Sequence, residues 1–167
     1  MRWNSRPLKM RDKFLPADRI AIAMGLGALA LILGALGFQY IGGVVPCEMC
    51  HWQRWPHIAA ALIGLVGVPL LSGRGNARLL AWIIVLLVTV SGLIGLYQSG
   101  MQWGFLPGPS SCSGHRFVIG SAMVPDVQCD VVTWSLLGLS LATYNAIFSF
   151  LIAGLGALAL LKGKNAA

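Results

Sequence analysis

The residues of this chain best suited to chemistry are its four cysteines, which fall into two pairs. Cys47 and Cys50 form a Cys-x-x-Cys motif, and Cys112 and Cys129 follow in a later hydrophilic stretch. Cysteines three positions apart on one turn can reach the Cα separation of about 5.5–6 Å that a disulfide requires. Two such pairs predict thiol–disulfide exchange, in which one bridge breaks as another forms.

Groups near the first pair favour a reactive sulfur. A helix that begins near Cys50 would place the positive end of its dipole beside that sulfur, which favours a thiolate. Arg54 follows four residues later, so one helical turn would place its guanidinium beneath the Cys50 sulfur. Because arginine is costly at the edge of an apolar segment, we interpret Arg54 as binding both an anionic sulfur and a carbonyl of a lipid-borne acceptor. Simple snorkelling to the membrane interface is the alternative.

Other interpretations of the cysteines stay open at this point. The sequence Cys-Glu-Met-Cys-His at 47–51 matches the signature of c-type haem attachment, as in a membrane-anchored electron carrier, although no soluble fold follows to enclose a haem. Four thiolates could bind zinc, but they would have to stay reduced in an oxidising space. Two structural bridges would make a non-catalytic membrane protein, and closing the 112–129 loop could contribute about 3 kcal/mol.

The elements that must position these residues are membrane spans. The chain of 167 residues is 57% hydrophobic and 10% charged, whereas soluble domains carry roughly 25% charged residues. Its mean hydropathy is +0.77. Four continuous apolar runs, at about 20–41, 53–71, 79–97 and 134–161, approach the roughly 20 residues that cross a bilayer. Since backbone groups in lipid must be satisfied internally, each run predicts a helix.

The predicted fold class is therefore all-α, an integral membrane four-helix bundle that forms a single domain over residues 1–167. Two outer loops, at about 42–52 and 98–133, carry the cysteine pairs. The piece at 114–124 is apolar enough to rest on the membrane but too short to cross it, which predicts a short surface helix in the second loop.

Basic residues orient this bundle. Half of the 12 lysines and arginines precede the first apolar run, and others lie in the second break and after the last run. This positive-inside pattern predicts a multi-pass protein of the bacterial inner membrane with both termini in the cytoplasm. Both cysteine loops would then face the periplasm, where disulfides persist. Because the charges follow the membrane boundaries, the net charge of +7 does not indicate a nucleic-acid partner.

Taken in order, several motifs resemble the DsbB family of bacterial disulfide-bond formation proteins. They are Pro-Cys-x-x-Cys at 46–50 followed by Gln53-Arg54, Gly-Pro-Ser-Ser-Cys at 108–112, and Cys129-Asp130 running into Trp-Ser-Leu-Leu-Gly-Leu-Ser at 134–140. The resemblance covers nearly the whole chain and includes the same four-span layout. It implies a quinone-dependent thiol oxidoreductase that generates disulfides and needs no metal.

The resemblance also implies a role for each reactive residue. A reduced DsbA-like thioredoxin-fold protein of the periplasm would attack Cys112 and form a mixed disulfide. The released Cys129 would attack Cys47, and Cys50 would become the thiolate beside a membrane quinone, either ubiquinone or menaquinone. Arg54 would help to bind that quinone within the lipid bilayer.

One position departs from the family pattern. Relatives often place a histidine after the tyrosine that ends the third span, whereas this chain reads Tyr97-Gln98-Ser99. A proton-handling role at that position is therefore not carried over to this chain.

Overall fold

The computed structural model describes residues 16–71, 76–109, 112 and 128–164. Its helices are α1 (Ala17–Tyr40), α2 (Glu48–Leu62), a π-helical turn (Ile63–Gly67), α3 (Val68–Leu71), α4 (Ala77–Gln102) and α5 (Leu141–Lys164). A small hairpin pairs β1 (Ser135–Leu136) antiparallel with β2 (Leu139–Ser140). The segments from α2 to α3 follow one another without a break and act as one span.

Within the described residues, four helices are long and apolar enough to cross a membrane. They are Ala17–Tyr40, Glu48–Leu71, Ala77–Gln102 and Leu141–Gly163. The predicted all-α, four-span fold class is thus confirmed, and the chain is a multi-pass membrane protein. The surface helix predicted at 114–124 lies outside the described residues.

The helices begin and end at residues that hydropathy alone did not indicate. α2 begins at Glu48 rather than at about 53, because the sulfur of Cys47 caps it by accepting a backbone N–H of the first turn. α4 continues to Gln102 instead of stopping at about 97. α5 begins at Leu141 rather than at about 134, since the preceding residues turn back as a hairpin whose Gly138 has a φ of 78°. Only glycine adopts that backbone freely.

Close helix approach depends on glycine at two crossings. A Cβ on Gly64 of α2's π-helical extension would lie 2.8 Å from the Cα of Gly25 and 2.8 Å from the carbonyl oxygen of Ala21 in α1. A Cβ on Gly95 in α4 would lie 2.9 Å from the carbonyl oxygen of Ala142 in α5. Real Cβ atoms do not approach so closely, so these positions let the backbones touch, as helix packing in lipid requires.

Most of the bundle interior is apolar, but a polar group of residues lies between α2, α4 and α5. Large apolar side chains also cover much of the exterior, as expected for a surface that faces lipid. The buried polar side chains that join α2, α4 and α5 are Gln53, His57, Ser91, Gln98 and Ser149. Polar groups inside a membrane are expensive, and these mark the candidate site.

Candidate functional site

The structure packs the two cysteine pairs into one buried cluster. A disulfide joins Cys112 to Cys129, while Cys47 and Cys50 are free thiols whose sulfurs lie 2.9 Å apart. Met101 of α4 packs within the same cluster. Cys47 is 5% exposed, Cys112 is 3% exposed and Cys129 is 1% exposed. The sequence predicted that the pairs share a compartment, and the tertiary structure adds that they are neighbours.

Cys47 and Cys50 differ because of where α2 begins. The sulfur of Cys47 accepts the backbone N–H of Cys50 at 3.4 Å, so Cys47 is the N-cap and Cys50 lies in the first turn. A hydrogen bond with the Cys50 sulfur, together with burial, raises the pKa of the Cys47 thiol. Negative charge in this pair is therefore better carried by Cys50, where the helix N-terminus stabilises an anion.

Gln98 of α4 contacts both cysteine pairs, a role that the sequence did not indicate. Its Nε2 donates to the Cys47 sulfur at 3.2 Å and to the backbone carbonyl of Cys129 at 3.3 Å, with the Cys50 sulfur 3.9 Å away. The side chain is 2% exposed. The sequence feature that could have indicated Gln98 is a glutamine at the end of an apolar run. It stands at the position where this chain departs from the DsbB pattern.

A chain of amide groups orients Gln98. Gln53 Nε2 donates to Gln98 Oε1 at 2.6 Å, and Asn145 Nδ2 donates to Gln53 Oε1 at 2.8 Å. Ser91 Oγ donates to the backbone carbonyl of Gln53 at 2.8 Å. Because the oxygen of Gln98 is occupied by a donor, its N–H groups face the sulfurs. Three helices thus hold one amide against the cysteines.

A cavity of about 350 Å³ opens beside the first pair. Its polar wall includes Cys47, Cys50, Gln53, Arg54, His57, Gln98 and Asn145, and its apolar wall includes Ala35, Phe38, Trp134, Leu141 and Phe148. Sites for small molecules are typically about 300–1,000 Å³, mostly apolar, with a few placed polar groups. The first pair therefore lies between the second pair and a site suited to a small apolar molecule.

Arg54 lies on the cavity wall, but its guanidinium contacts α1 rather than a sulfur. Arg54 Nη1 donates to Gln39 Oε1 at 2.6 Å, and no hydrogen bond joins it to Cys50 within the described part of the chain. A guanidinium carries five N–H donors, so the contact with Gln39 leaves others for a ligand. Arg54 and Cys50 are brought to the same cavity, as the Arg54 interpretation requires.

Two alternative interpretations of the cysteines are disfavoured by this arrangement. His51, which would be the axial ligand of a haem attached to Cys47 and Cys50, is exposed, whereas Cys47 is buried in the cluster. Among the residues that the structure describes, no three or more His, Cys, Asp or Glu side chains are grouped to hold a metal ion. The cysteines lie instead in one cluster, with the first pair packed beside the second.

Known proteins share this chain's pattern over most of its length. Residues 17–159 match the family described as Disulfide bond formation protein DsbB. The chain belongs to the DsbB family. It is 34% identical over 145 residues to Disulfide bond formation protein B of Aromatoleum aromaticum, which covers 78% of this chain and 87% of that protein. It is 32% identical over 162 residues to the protein of that name in Verminephrobacter eiseniae, covering 86% and 85% of the two chains.

A third relative matches over nearly the full length of both chains. The Disulfide bond formation protein B of Nitrosospira multiformis is 26% identical over 168 residues, covering 93% of this chain and 98% of that protein. No solved structure matches the chain significantly. DsbB membership confirms the resemblance seen in the motifs and makes this chain a membrane oxidoreductase of disulfide bond formation.

Proposed function

We propose that this DsbB-family protein reoxidises a DsbA-like thioredoxin-fold protein of the periplasm and passes the electrons to a membrane quinone. One observation carries the proposal: the two cysteine pairs share one cluster, and the first pair also lines a cavity. A relay needs both contacts, one for exchange between pairs and one for a lipid-borne acceptor. Two purely structural bridges would need neither.

The first half of the relay moves electrons from the partner toward the first cysteine pair. A thiolate of the reduced partner attacks the Cys112 sulfur, the Cys112–Cys129 bond breaks, and Cys129 leaves as a thiolate. Cys129 then attacks Cys47 of an oxidised first pair, and Cys50 leaves as the thiolate. Gln98 supports this step because it holds the Cys47 sulfur and the Cys129 backbone on one amide.

The second half restores the outer bridge. The second cysteine of the partner attacks the mixed disulfide and releases Cys112, which attacks the Cys47–Cys129 bond and reforms Cys112–Cys129. The net result is a partner disulfide and a reduced first pair, so two electrons and two protons have moved inward. At this point of the cycle Cys112 and Cys129 are bridged again, and Cys47 and Cys50 are both thiols.

The residues of the cavity fit a quinone, either ubiquinone or menaquinone. Phe38, Trp134 and Phe148 offer apolar and aromatic surface for a flat ring, while the Arg54 guanidinium offers N–H donors for a carbonyl oxygen. A bound quinone would accept the two electrons and two protons of the reduced first pair. Arg54 would hold an oxygen of the ring and face the side on which the Cys50 thiolate forms, since both groups line one cavity.

The proposal includes the orientation of the bundle in the inner membrane. Both termini lie in the cytoplasm and both cysteine loops lie in the periplasm. The support is the concentration of lysine and arginine at the N-terminus, in the second break and after the last span. The partner then meets Cys112 in the compartment where secreted proteins acquire disulfides.

The deciding experiment is steady-state oxidation of a reduced DsbA by the purified protein supplied with quinone. We expect many turnovers, with one quinone reduced for each DsbA disulfide formed. No oxidation of DsbA would leave only the structural role for the cysteines, and a single turnover per protein would contradict transfer of the electrons to quinone. A Soret band with a covalent increase in mass would instead establish the haem carrier.

A further inference from the structure

His57 is a buried residue of the cavity wall to which the relay assigns no role. It is 1% exposed, and its Nε2 lies 3.3 Å from Ser149 Oγ of α5. Its Nδ1 is buried and has no hydrogen-bond partner among the described residues. The backbone carbonyl of Gln53, one turn earlier on α2, lies near the His57 ring and accepts a hydrogen bond from Ser91 Oγ at 2.8 Å. An unpaired buried polar atom is destabilising, so a ligand group that pairs with Nδ1 would be favoured at this position.

His57 and Arg54 both lie where α2 lines the cavity. The two residues are three apart on one helix, so they share a face with Cβ atoms about 5–6 Å apart. Cys50 lies one turn before Arg54, and all three residues line the same cavity.

We propose that His57 Nδ1 binds one oxygen of the quinone ring while Arg54 binds the opposite one. The inference rests on the proposed quinone site and adds a second polar contact to it. A ring held at both ends lies along α2 with a fixed orientation. The Cys50 sulfur then meets a defined part of the ring rather than a freely turning one.

Ser149 allows His57 to bind either redox form of the ring. When Ser149 Oγ donates to Nε2, the ring proton is on Nδ1, which then donates to a carbonyl oxygen. Ser149 Oγ also lies 3.5 Å from Asn145 Oδ1 and can donate there instead while accepting from Nε2–H. Nδ1 is then an acceptor for the hydroxyl of the reduced ring. The same nitrogen, Nδ1, can therefore donate to the carbonyl oxygen of the quinone and accept from the hydroxyl of the reduced ring.

Three substitutions separate this role from a structural one. Asn in place of His57 keeps a polar atom near the position of Nδ1, Gln keeps one near Nε2, and Phe keeps only a ring. The measurement is the Kd of a short-chain ubiquinone, read from quenching of tryptophan fluorescence, since Trp134 lines the cavity. His57→Phe and His57→Gln should weaken binding about three- to tenfold, the value of one net hydrogen bond. His57→Asn should stay within about twofold of the wild type.

Other outcomes would overturn the inference. Equal affinity in all four proteins would mean that water satisfies Nδ1, and tight binding in His57→Gln with weak binding in His57→Asn would mean that the ring acts only through Ser149. If His57→Phe does not fold, the Asn and Gln variants still give the comparison. Wild-type protein that binds no quinone would defeat the proposed function itself, whereas unchanged binding in the variants defeats only the role of His57.

Infrared spectra of bound quinone give a second, independent readout. A quinone labelled with ¹³C at one carbonyl reports the hydrogen bond to that oxygen separately from the other. One carbonyl band should lie lower than in solvent and return upward in His57→Phe, while the band assigned to Arg54 stays unchanged. A spectrum that does not respond to His57→Phe would contradict the contact.

Discussion

Gln98 Nε2 lies 3.2 Å from the Cys47 sulfur and 3.3 Å from the carbonyl oxygen of Cys129, so one amide group contacts both cysteine pairs. In the proposed relay, Cys129 must reach Cys47 with its sulfur in line with the bond that breaks. A donor that holds both partners reduces the motion required for this attack. Its own oxygen is fixed by Gln53, so the donor has one orientation.

Replacing Gln98 with Leu should slow exchange between the pairs. Two buried hydrogen bonds are lost, each worth about 0.5–1.5 kcal/mol, so we expect a decrease of roughly tenfold to a hundredfold in the rate. Gln102→Leu is the matched control, because among the described residues Gln102 donates to the Cys129 carbonyl, at 3.4 Å, and to neither sulfur of the first pair. Rapid acid quenching followed by alkylation of the thiols would give the rates. Equal rates in wild type and Gln98→Leu would remove Gln98 from the mechanism.

The Gln98→His variant extends the same prediction to pH dependence. A histidine has an ordinary pKa of about 6.5, whereas the glutamine amide does not titrate in this range. Below that pH the imidazolium would stabilise the thiolate that leaves the first pair. The ratio of the variant's exchange rate to the wild-type rate should therefore be highest at low pH and fall as the pH rises. A ratio of rates that does not change between about pH 5.5 and 7.5 would contradict this.

Arg54→Met should raise the quinone KM about tenfold to a hundredfold, because one or two charge-assisted hydrogen bonds of about 1.5–3 kcal/mol are lost. Arg54→Lys keeps the charge without the planar fork and should be intermediate. Gln39→Leu is the control: it removes the 2.6 Å partner of Arg54 while leaving the guanidinium in place, and its KM should change least. Steady-state quinone reduction measures all three. Unchanged kinetics in Arg54→Met would leave Arg54 as an interfacial anchor.

The order of electron flow is tested by trapping. In Cys129→Ser protein, Cys112 has no bridge to reform and no neighbouring thiolate to pass on the electrons. When the oxidised partner is added, the free Cys112 thiolate attacks its disulfide and displaces one partner cysteine, so we expect a Cys112 mixed disulfide that is visible on a non-reducing gel. With the reduced partner and quinone, turnover should fall to background. Cys112→Ser should form no such adduct. Normal turnover of a reduced partner by either variant would contradict the proposed relay.

The orientation of the bundle predicts which side of the membrane each break faces. In a variant whose native cysteines are replaced by serine, a cysteine introduced at Asn76 should react with a membrane-impermeant maleimide only after the cells are opened. A cysteine introduced at Val45, which is exposed in the first cysteine loop, should react in intact cells. The reverse result would place the cysteine loops in the cytoplasm.

Helix packing is tested where α1 contacts the π-helical turn that follows α2. Gly64→Ala would place a Cβ 2.8 Å from the Cα of Gly25, so the helices must separate at a cost of about 1–3 kcal/mol. Gly154→Ala is the matched control, since nothing lies within 4 Å of its added Cβ, and its effect should stay within about 0.5 kcal/mol. Thermal unfolding in detergent compares the two. Equal stability of the two variants would mean that the crossing tolerates a side chain.

The span layout and the family could be predicted from the sequence because both depend on local properties. Hydropathy over about twenty residues is enough to indicate a helix in lipid, whatever the rest of the chain does. The grouping of Cys47 with Cys50, and of both with Arg54, lies within two helical turns and can be read from spacing alone. The start of α5 at Leu141 could not, because the apolar residues before it form a hairpin that hydropathy does not distinguish from helix.

Only the tertiary structure decided which distant groups meet at the cysteines. Gln53, Gln98 and Asn145 come from three helices, and their amides pair only when those helices pack. His57 became a candidate ligand because α5 supplies Ser149 to one ring nitrogen, while the other has no hydrogen-bond partner within the part of the chain that the structure describes. A lone polar residue in an apolar run shows that something must satisfy it. Which group does so depends on contacts between residues far apart in the chain, and those contacts exist only in the folded bundle.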